Sequence, residues 1–367
     1  MFDGKIKGKL GFGCMRLPMK DKEVDKNEFN RMIDVFMESG FNYFDTAHGY
    51  IDGESEKAIC ECLSKRYNRK DFILANKLSY WCFEKEEDVI PLFEKQLKLC
   101  GVEYFDFYLF HCLNREGYEK HKRFNTFDIV KKLKEQGKIK HIGMSFHDTA
   151  DFLDVILTEQ PYMEAVQLQI NYLDYDDPAV QSKACYDVAV KHGKKVIVME
   201  PVKGGALADV PKEALETLKE LGNESQASYA LRYAATYPEV FMVLSGMGNM
   251  EMMDDNIKTF KEFSPLNDEQ IAILDTVREI IRKVKQIQCT KCNYCREVCP
   301  STIPISELFS VYNGLLGAKV TYAQTKEQLE LYHKSIISCV KCGKCETNCP
   351  QNIKIREELE KIKKILN

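Results

Sequence analysis

The sequence predicts an α/β chain in two parts: a closed (β/α)8 barrel of the TIM type, then a small helix-rich domain organised by cysteines. Three observations predict it. Up to about residue 262, short apolar runs alternate with longer amphipathic segments, the rhythm of repeated βα units. Eight runs of each kind are present, the number that closes a parallel barrel. Beyond them come two cysteine runs of identical spacing. One is Cys289, Cys292, Cys295 and Cys299 ahead of Pro300; the other is Cys339, Cys342, Cys345 and Cys349 ahead of Pro350.

The predicted strands are Leu10–Cys14, Asn42–Asp45, Phe72–Lys77, Phe107–His111, His141–Ser145, Ala165–Ile170, Val196–Met199 and Met242–Ser245. Between and after them the helical period predicts Glu28–Ser39, Glu54–Ser64, Glu86–Leu99, Phe127–Gln136, Thr149–Leu157, Ala179–His192, Gln226–Tyr237 and Met250–Lys261. Gly40, Gly101, Gly137 and Gly193 stand where four helices need a left-handed C-terminal cap. The alternative is an open doubly wound sheet. It requires a glycine-rich phosphate loop after the first strand, and Gly11-Phe12-Gly13 does not continue as one. Residues 1–264 are therefore assigned to the barrel, 265–286 to a linker helix and 287–367 to the second domain, with helices expected over 305–316, 327–335 and 357–365.

Bulk composition narrows the function class. In 367 residues, 44 % are apolar and 29 % charged, ordinary for a large globular core. A net charge of −4 gives no electrostatic case for binding nucleic acid or an anionic membrane. The first residues carry no apolar run, so no signal peptide is expected, and no stretch is long and apolar enough to span a bilayer. Fifteen cysteines, seven of them scattered outside the two runs, fit a reducing cytoplasm and suit an anaerobe.

Each run reads C-x-x-C-x-x-C-x-x-x-C-P, the spacing by which bacterial ferredoxins hold two cubane [4Fe–4S] clusters. Three thiolates on a tight loop reach three corners of one cube, and the fourth, turned away by proline, completes the other. One cluster is thus expected on Cys289, Cys292, Cys295 and Cys349, the second on Cys339, Cys342, Cys345 and Cys299. Zinc, the alternative, favours ligands as two separated pairs. The 38 residues between Pro300 and Cys339 point to a helix-rich version of such a ferredoxin-like module.

In a barrel, chemistry collects on the loops at the C-terminal ends of the strands. There the sequence places Asp45 and Tyr50, Lys77, and His111, from three successive strands. Singly these are unremarkable, since an aspartate there is usually a cap and a lysine usually solvated. Together they form a proton-handling set. A phenol titrates near 10, and an adjacent ammonium favours its phenolate. Asp45 can hold Lys77, and His111 can orient a carbonyl oxygen beside the phenol, leaving Tyr50 as general acid for a carbonyl or base for an alcohol. Trp81 is expected to line the pocket. His48 and His147 read as polar loop residues, with substrate contact as the alternative, and Cys82 and Cys112 as small apolar ones, with a redox or ligand role as the alternative. The basic stretch 278–285 reads as a solvated helix face, with docking of an acidic electron carrier as the alternative.

This arrangement resembles the aldo-keto reductase family. The stretch Asn42–Tyr50 followed by Glu54-Ser55-Glu56 is similar to that family's signature, and Lys77 and His111 fall where its lysine and histidine fall. The resemblance implies that Ser145 and Gln167 bind a nicotinamide carboxamide, that Met199 occupies the position of a stacking tyrosine, that Gly204 in Pro201–Leu207 lies in the cofactor loop, and that Asn256 meets the adenine end. Where NADP-preferring members carry an arginine, this chain has Met252. With its cysteine runs, the whole chain resembles the iron–sulfur branch of the family.

A nicotinamide moves two electrons as a hydride, a cubane one at a time, and flavin is the usual converter. Three functions remain open at this point. The barrel is an NAD(P)H-dependent carbonyl reductase or alcohol dehydrogenase; or it holds a flavin or redox substrate fed by the clusters from ferredoxin or another carrier; or it is a silent scaffold whose clusters sense oxygen or iron.

Overall fold

The computed structural model describes residues 2–283, 286–316 and 320–366. Eight parallel strands close into a barrel: β1 Leu10–Gly13, β2 Tyr43–Asp45, β3 Ile73–Ser79, β4 Phe105–Leu113, β5 Ile139–Phe146, β6 Ala165–Gln169, β7 Lys195–Met199 and β8 Val240–Ser245. Neighbours in sequence are neighbours in the sheet, and β1 pairs with both β2 and β8. All eight predicted strands are present. Five extend beyond their predicted ends, while β1, β2 and β6 are each one residue shorter, because pairing with neighbours, rather than local propensity, sets a strand's limits.

The outer helices of the barrel are α1 Lys26–Glu38, α2 Glu54–Ile59, α3 Val89–Cys100, α4 Arg115–Arg123, α5 Thr126–Glu135, α6 Ala150–Glu159 and α7 Ser182–Lys191. They continue, after the short α8 Lys212–Leu218, with α9 Gln226–Ala235 and α10 Met250–Lys261. A two-stranded hairpin, Met19–Lys20 with Glu23–Val24, follows β1. Helix α1 shows why these segments fold as they do. Asp25 caps it, accepting from the Asn27 and Glu28 amides at 3.1 Å. Its apolar stripe, Phe29, Met32, Ile33 and Phe36, is buried, with Phe29 and Phe36 against Phe12 of β1. Each fully buried side chain of this size contributes about 1.5–3 kcal/mol. Gly40, Gly101, Gly137 and Gly193 all adopt the positive φ their capping role demands.

Within residues 1–264, two helices escaped the sequence reading. In α4 only Gly117, Tyr118 and His121 are buried, so its apolar stripe is too thin to register. In α8 the helix is a mere 7 residues. At the N-terminal end of the barrel, Phe2 packs on Phe107 and Phe241 over a floor of Tyr43, Ile73 and Met242.

The chain forms two compact units, one of Met1–Asp176, Gln181–Pro201 and Ala227–Asn267, the other of Asp177–Val180, Val202–Gln226 and Asp268–Asn367. In the second, α11 Asp268–Lys283 lies against α8. It occupies the predicted linker; Val284 and Lys285, the end of the predicted basic stretch, lie outside the described residues. Then come α12 Tyr294–Glu297, α13 Ile305–Leu316, α14 Tyr322–Glu330, α15 His333–Ile337, α16 Lys344–Thr347 and α17 Ile355–Leu366. Their core joins Ile303, Leu308, Phe309, Leu329, Leu359 and Ile362 to the cysteines.

Candidate active site and cluster module

The four residues read as a proton-handling set meet at the barrel mouth. Asp45 ends β2, Lys77 lies in β3 and His111 in β4, with Ser79 directly opposite His111. Tyr50 arrives on the turn after β2, which is tied down by Ser55: its hydroxyl donates to the Cys14 carbonyl and meets Thr46 Oγ1, each at 2.8 Å. Lys77 Nζ donates to Asp45 Oδ1 at 2.5 Å, to the Thr46 carbonyl at 2.8 Å and to the Tyr50 hydroxyl at 3.3 Å. Lys77 is 1 % exposed and Asp45 3 %, so this ion pair is dry. Burial opposes the ammonium, yet the Asp45 charge and the Tyr50 oxygen outweigh it and hold the Lys77 value above the ordinary one. His111, its ring 5.9 Å from that of Tyr50, meets Ser79 Oγ through Nδ1 at 2.6 Å. Burial, then the Lys77 charge, then His147 push it well below the usual imidazole range, so it is neutral. Trp81 stands 5.1 Å from His111 and forms an aromatic wall with Tyr80.

Behind this set lies a brace. Glu56 is fully buried and bonded to His48 Nδ1 at 2.6 Å and Asn76 Nδ2 at 2.8 Å, while Asn76 Oδ1 accepts from the Lys77 amide. His48 is therefore a partner of Glu56, and the glutamate earlier read only as part of a motif positions the strand that carries Lys77.

The residues that resemblance assigns to a cofactor divide. Ser145 and Gln167 pair directly across β5 and β6. Gln167 is 3 % exposed, and its Oε1 has no partner. A buried orphan acceptor beside a serine hydroxyl suits a carboxamide N–H, so these residues fit a nicotinamide. Met199 ends β7, opposite Gln169. Asn256 donates to Ser245 Oγ at 2.8 Å, and Met252 is half exposed. Gly204 belongs to the second unit. Its φ is +64°, and a Cβ there would stand 2.5 Å from the Thr290 carbonyl oxygen.

Two features escaped the sequence reading. Gln169 links His147 Nδ1, at 3.3 Å, to Glu200, at 3.0 Å. The step of two residues from Gln167 to Gln169 on one strand face was the available signal. Arg16, after β1, packs its aliphatic stem against Gly246, where a Cβ would meet it at 3.3 Å, and so brings a cation to the turn after β8. No local pattern joins residues so far apart.

In the second unit the two cysteine runs fold alike. Lys291 and Lys341, Asn293 and Gly343, and Thr302 and Asn352 all have positive φ at matching places. The third cysteine of each run opens into the short helices α12 and α16. A pocket is lined by Cys299, Cys339, Cys342 and Cys345 together with Val340 and Arg356. Cys295 has as electrostatic neighbours Cys289 and Cys349, and Cys345; burial is the largest influence raising its thiol. Lys203, 3 % exposed, donates to Gln351 Oε1 at 2.7 Å, two residues past Cys349. This ties the Val202–Gln226 strap to a cysteine loop.

Comparison with known proteins adds the decisive observation: the model of the aldo/keto reductase family matches residues 9–279. The chain belongs to the aldo/keto reductase family. This aldo/keto reductase is an oxidoreductase that carries, over residues 285–353, a match to a 4Fe-4S dicluster domain. An uncharacterized oxidoreductase of Bacillus subtilis is 23 % identical over 298 residues, 73 % of this chain and 91 % of that one. Among solved structures, an aldo-keto reductase from Bacillus halodurans in its holo form is similar with a TM-score of 0.62 at 24 % identity, covering 73 % of this chain and 91 % of that one. One from Klebsiella pneumoniae, in complex with NADPH, has a TM-score of 0.58 at 18 % identity, covering 74 % and 90 %. Among the described residues no helix is long and apolar enough to cross a membrane.

Proposed function

We propose that the barrel, residues 1–264, reduces a small-molecule carbonyl or oxidises the corresponding alcohol, with Tyr50 as general acid and base. A nicotinamide, when bound, supplies or takes the hydride. The observation that carries this reading is the dry Lys77 ammonium within reach of both Asp45 and the Tyr50 hydroxyl. Tyr50 gives its proton to the carbonyl oxygen as charge develops there, and the ammonium stabilises the phenolate left behind. Asp45 keeps Lys77 in position and charged. With Ser79 donating to its Nδ1, neutral His111 presents Nε2–H to the carbonyl oxygen and aligns it. The Trp81 wall keeps water away. Ser145 and the orphaned Gln167 oxygen would hold the carboxamide. The Klebsiella relative's complex with NADPH supports the choice of nicotinamide.

In the module over 287–367, reached through the linker at 265–286, the cysteines would hold two [4Fe–4S] clusters. Cys289, Cys292, Cys295 and Cys349 take one; Cys299, Cys339, Cys342 and Cys345 take the other, supported by the pocket they line. Met199 in the stacking position favours a second reading, a flavin in the barrel reduced one electron at a time by the clusters.

The test is anaerobic purification, assay of iron, sulfide, flavin and nicotinamide, and turnover of NADPH or NADH with an aldehyde or ketone. Tyr50→Phe is expected to lower kcat by about 10²–10⁴, the usual share of a general acid. Turnover undiminished by that change defeats the assignment, and stoichiometric flavin selects the second reading.

A further inference from the structure

The pocket of Cys299, Cys339, Cys342 and Cys345 opens at an unusual piece of surface. Cys342 is itself exposed, which puts an edge of that ligand set in reach of a protein partner. Beside it Val340 is 65 % exposed and Ile337 52 %, large apolar groups that a folded chain normally covers.

Charge along this part of the chain is equally unbalanced. Residues 333–366 carry eight basic side chains against four acidic ones, in a chain whose net charge is −4. Three of the acids are engaged within the module: Glu346 by Arg356, Glu360 by Lys341 and Glu358 by Lys361. Lys334, on α15 just before Ile337, and Lys344, at the start of α16, are exposed, and neither makes an ion pair among the described residues. The basic face of α11 behaves otherwise. There Arg278 is held by Asp275 and Glu279, and Arg282 by Glu279. Its two arginines are answered within the helix, which leaves them less available to a partner.

We propose that Ile337, Val340 and Cys342, with Lys334 and Lys344 nearby in sequence, form the docking surface for an acidic one-electron carrier protein. The proposal rests on the two-cluster reading above and assigns the second cluster as the point of electron exchange. One electron leaves the reduced carrier, which is thereby oxidised, and enters the cluster held by Cys299, Cys339, Cys342 and Cys345, which passes from its 2+ to its 1+ state. No atom or proton changes hands. A small apolar centre with lysines close by in the chain suits such a transient encounter, where electrostatics sets the association rate and the buried area stays under about 1,200 Å². Charge on those lysines also makes the rate fall with added salt.

The test is anaerobic stopped-flow reduction of the full chain by a dithionite-reduced plant-type [2Fe–2S] ferredoxin of strongly negative charge, followed by bleaching of the clusters. The wild type should react with a second-order rate that drops steeply with ionic strength. Lys334→Glu/Lys344→Glu should slow it at least tenfold at low salt, while iron per chain and reduction by dithionite alone stay unchanged. Arg278→Glu/Arg282→Glu should leave the rate near that of the wild type. Equal rates for wild type and the lysine variant, a rate indifferent to salt, or a larger loss from the α11 variant overturns the proposal. Iron far below eight per chain strikes instead at the two-cluster reading, and the docking surface falls with it.

Discussion

Replacing Lys77 by methionine removes one half of an ion pair that has almost no access to water. Asp45, whose carboxyl burial already pushes up against the pull of the Lys77 charge, would then sit at 3 % exposure with neither oxygen paired, because Oδ2 has no partner even in the intact chain. Removing one member of a buried pair costs about 3–5 kcal/mol, most of it the penalty on the charge left behind. At roughly 2–4 °C per kcal/mol for a domain of this size, the barrel should melt about 10 °C lower. Trp81, the single tryptophan, stands 5.1 Å from His111 and reports directly on the mouth, so guanidinium unfolding followed by its fluorescence is the assay. Lys77→Met/Asp45→Asn should recover a good part of the loss, since an amide carries no charge to strand. The Lys77 value is raised above 10.5, so its share of the stability is present at neutral pH and is lost as pH climbs through the raised native value, whereas burial raises Asp45, whose charge therefore costs the native state stability at neutral pH. An unfolding midpoint equal to that of the wild type, or a double variant weaker than the single one, refutes the argument.

Acid should weaken the barrel before carboxylates matter. His111, His121 and His147 are held neutral by burial, His121 down to about 3 and His147 to about 4, all from 6.5. The unfolded chain binds protons there that the native one refuses, so stability falls as pH drops below 6.5, by about 4 kcal/mol for the three between pH 7.5 and 5.5. A flat denaturant midpoint over that range contradicts it. In the second unit, Gly204→Ala drives a Cβ to 2.5 Å from the Thr290 carbonyl oxygen at a φ of +64°. Hydrogen exchange over 202–210 should speed up at least tenfold; unchanged protection there counts against the strap's being held at this corner.

The order of βα units, the glycine caps and the spacing of the cysteines are all legible in the bare chain. All of these are carried by patterns spanning at most a few turns of chain, and eight strands leave one economical way to close. It also placed Asp45, Tyr50, Lys77 and His111 at strand ends, from which a common mouth follows once the sheet is a barrel. Helices α4 and α8 stayed hidden because one is nearly all polar and the other too short for a period to show. Contacts between distant residues emerge once the chain is folded. Arg16 against Gly246, Gln169 between His147 and Glu200, and Lys203 on Gln351 leave no local trace. Which acids silence which bases also depends on side chains meeting across helices and loops. That is why Arg278 and Arg282 of α11 looked as open to a partner as Lys334 and Lys344, although both are held by acids of their own helix.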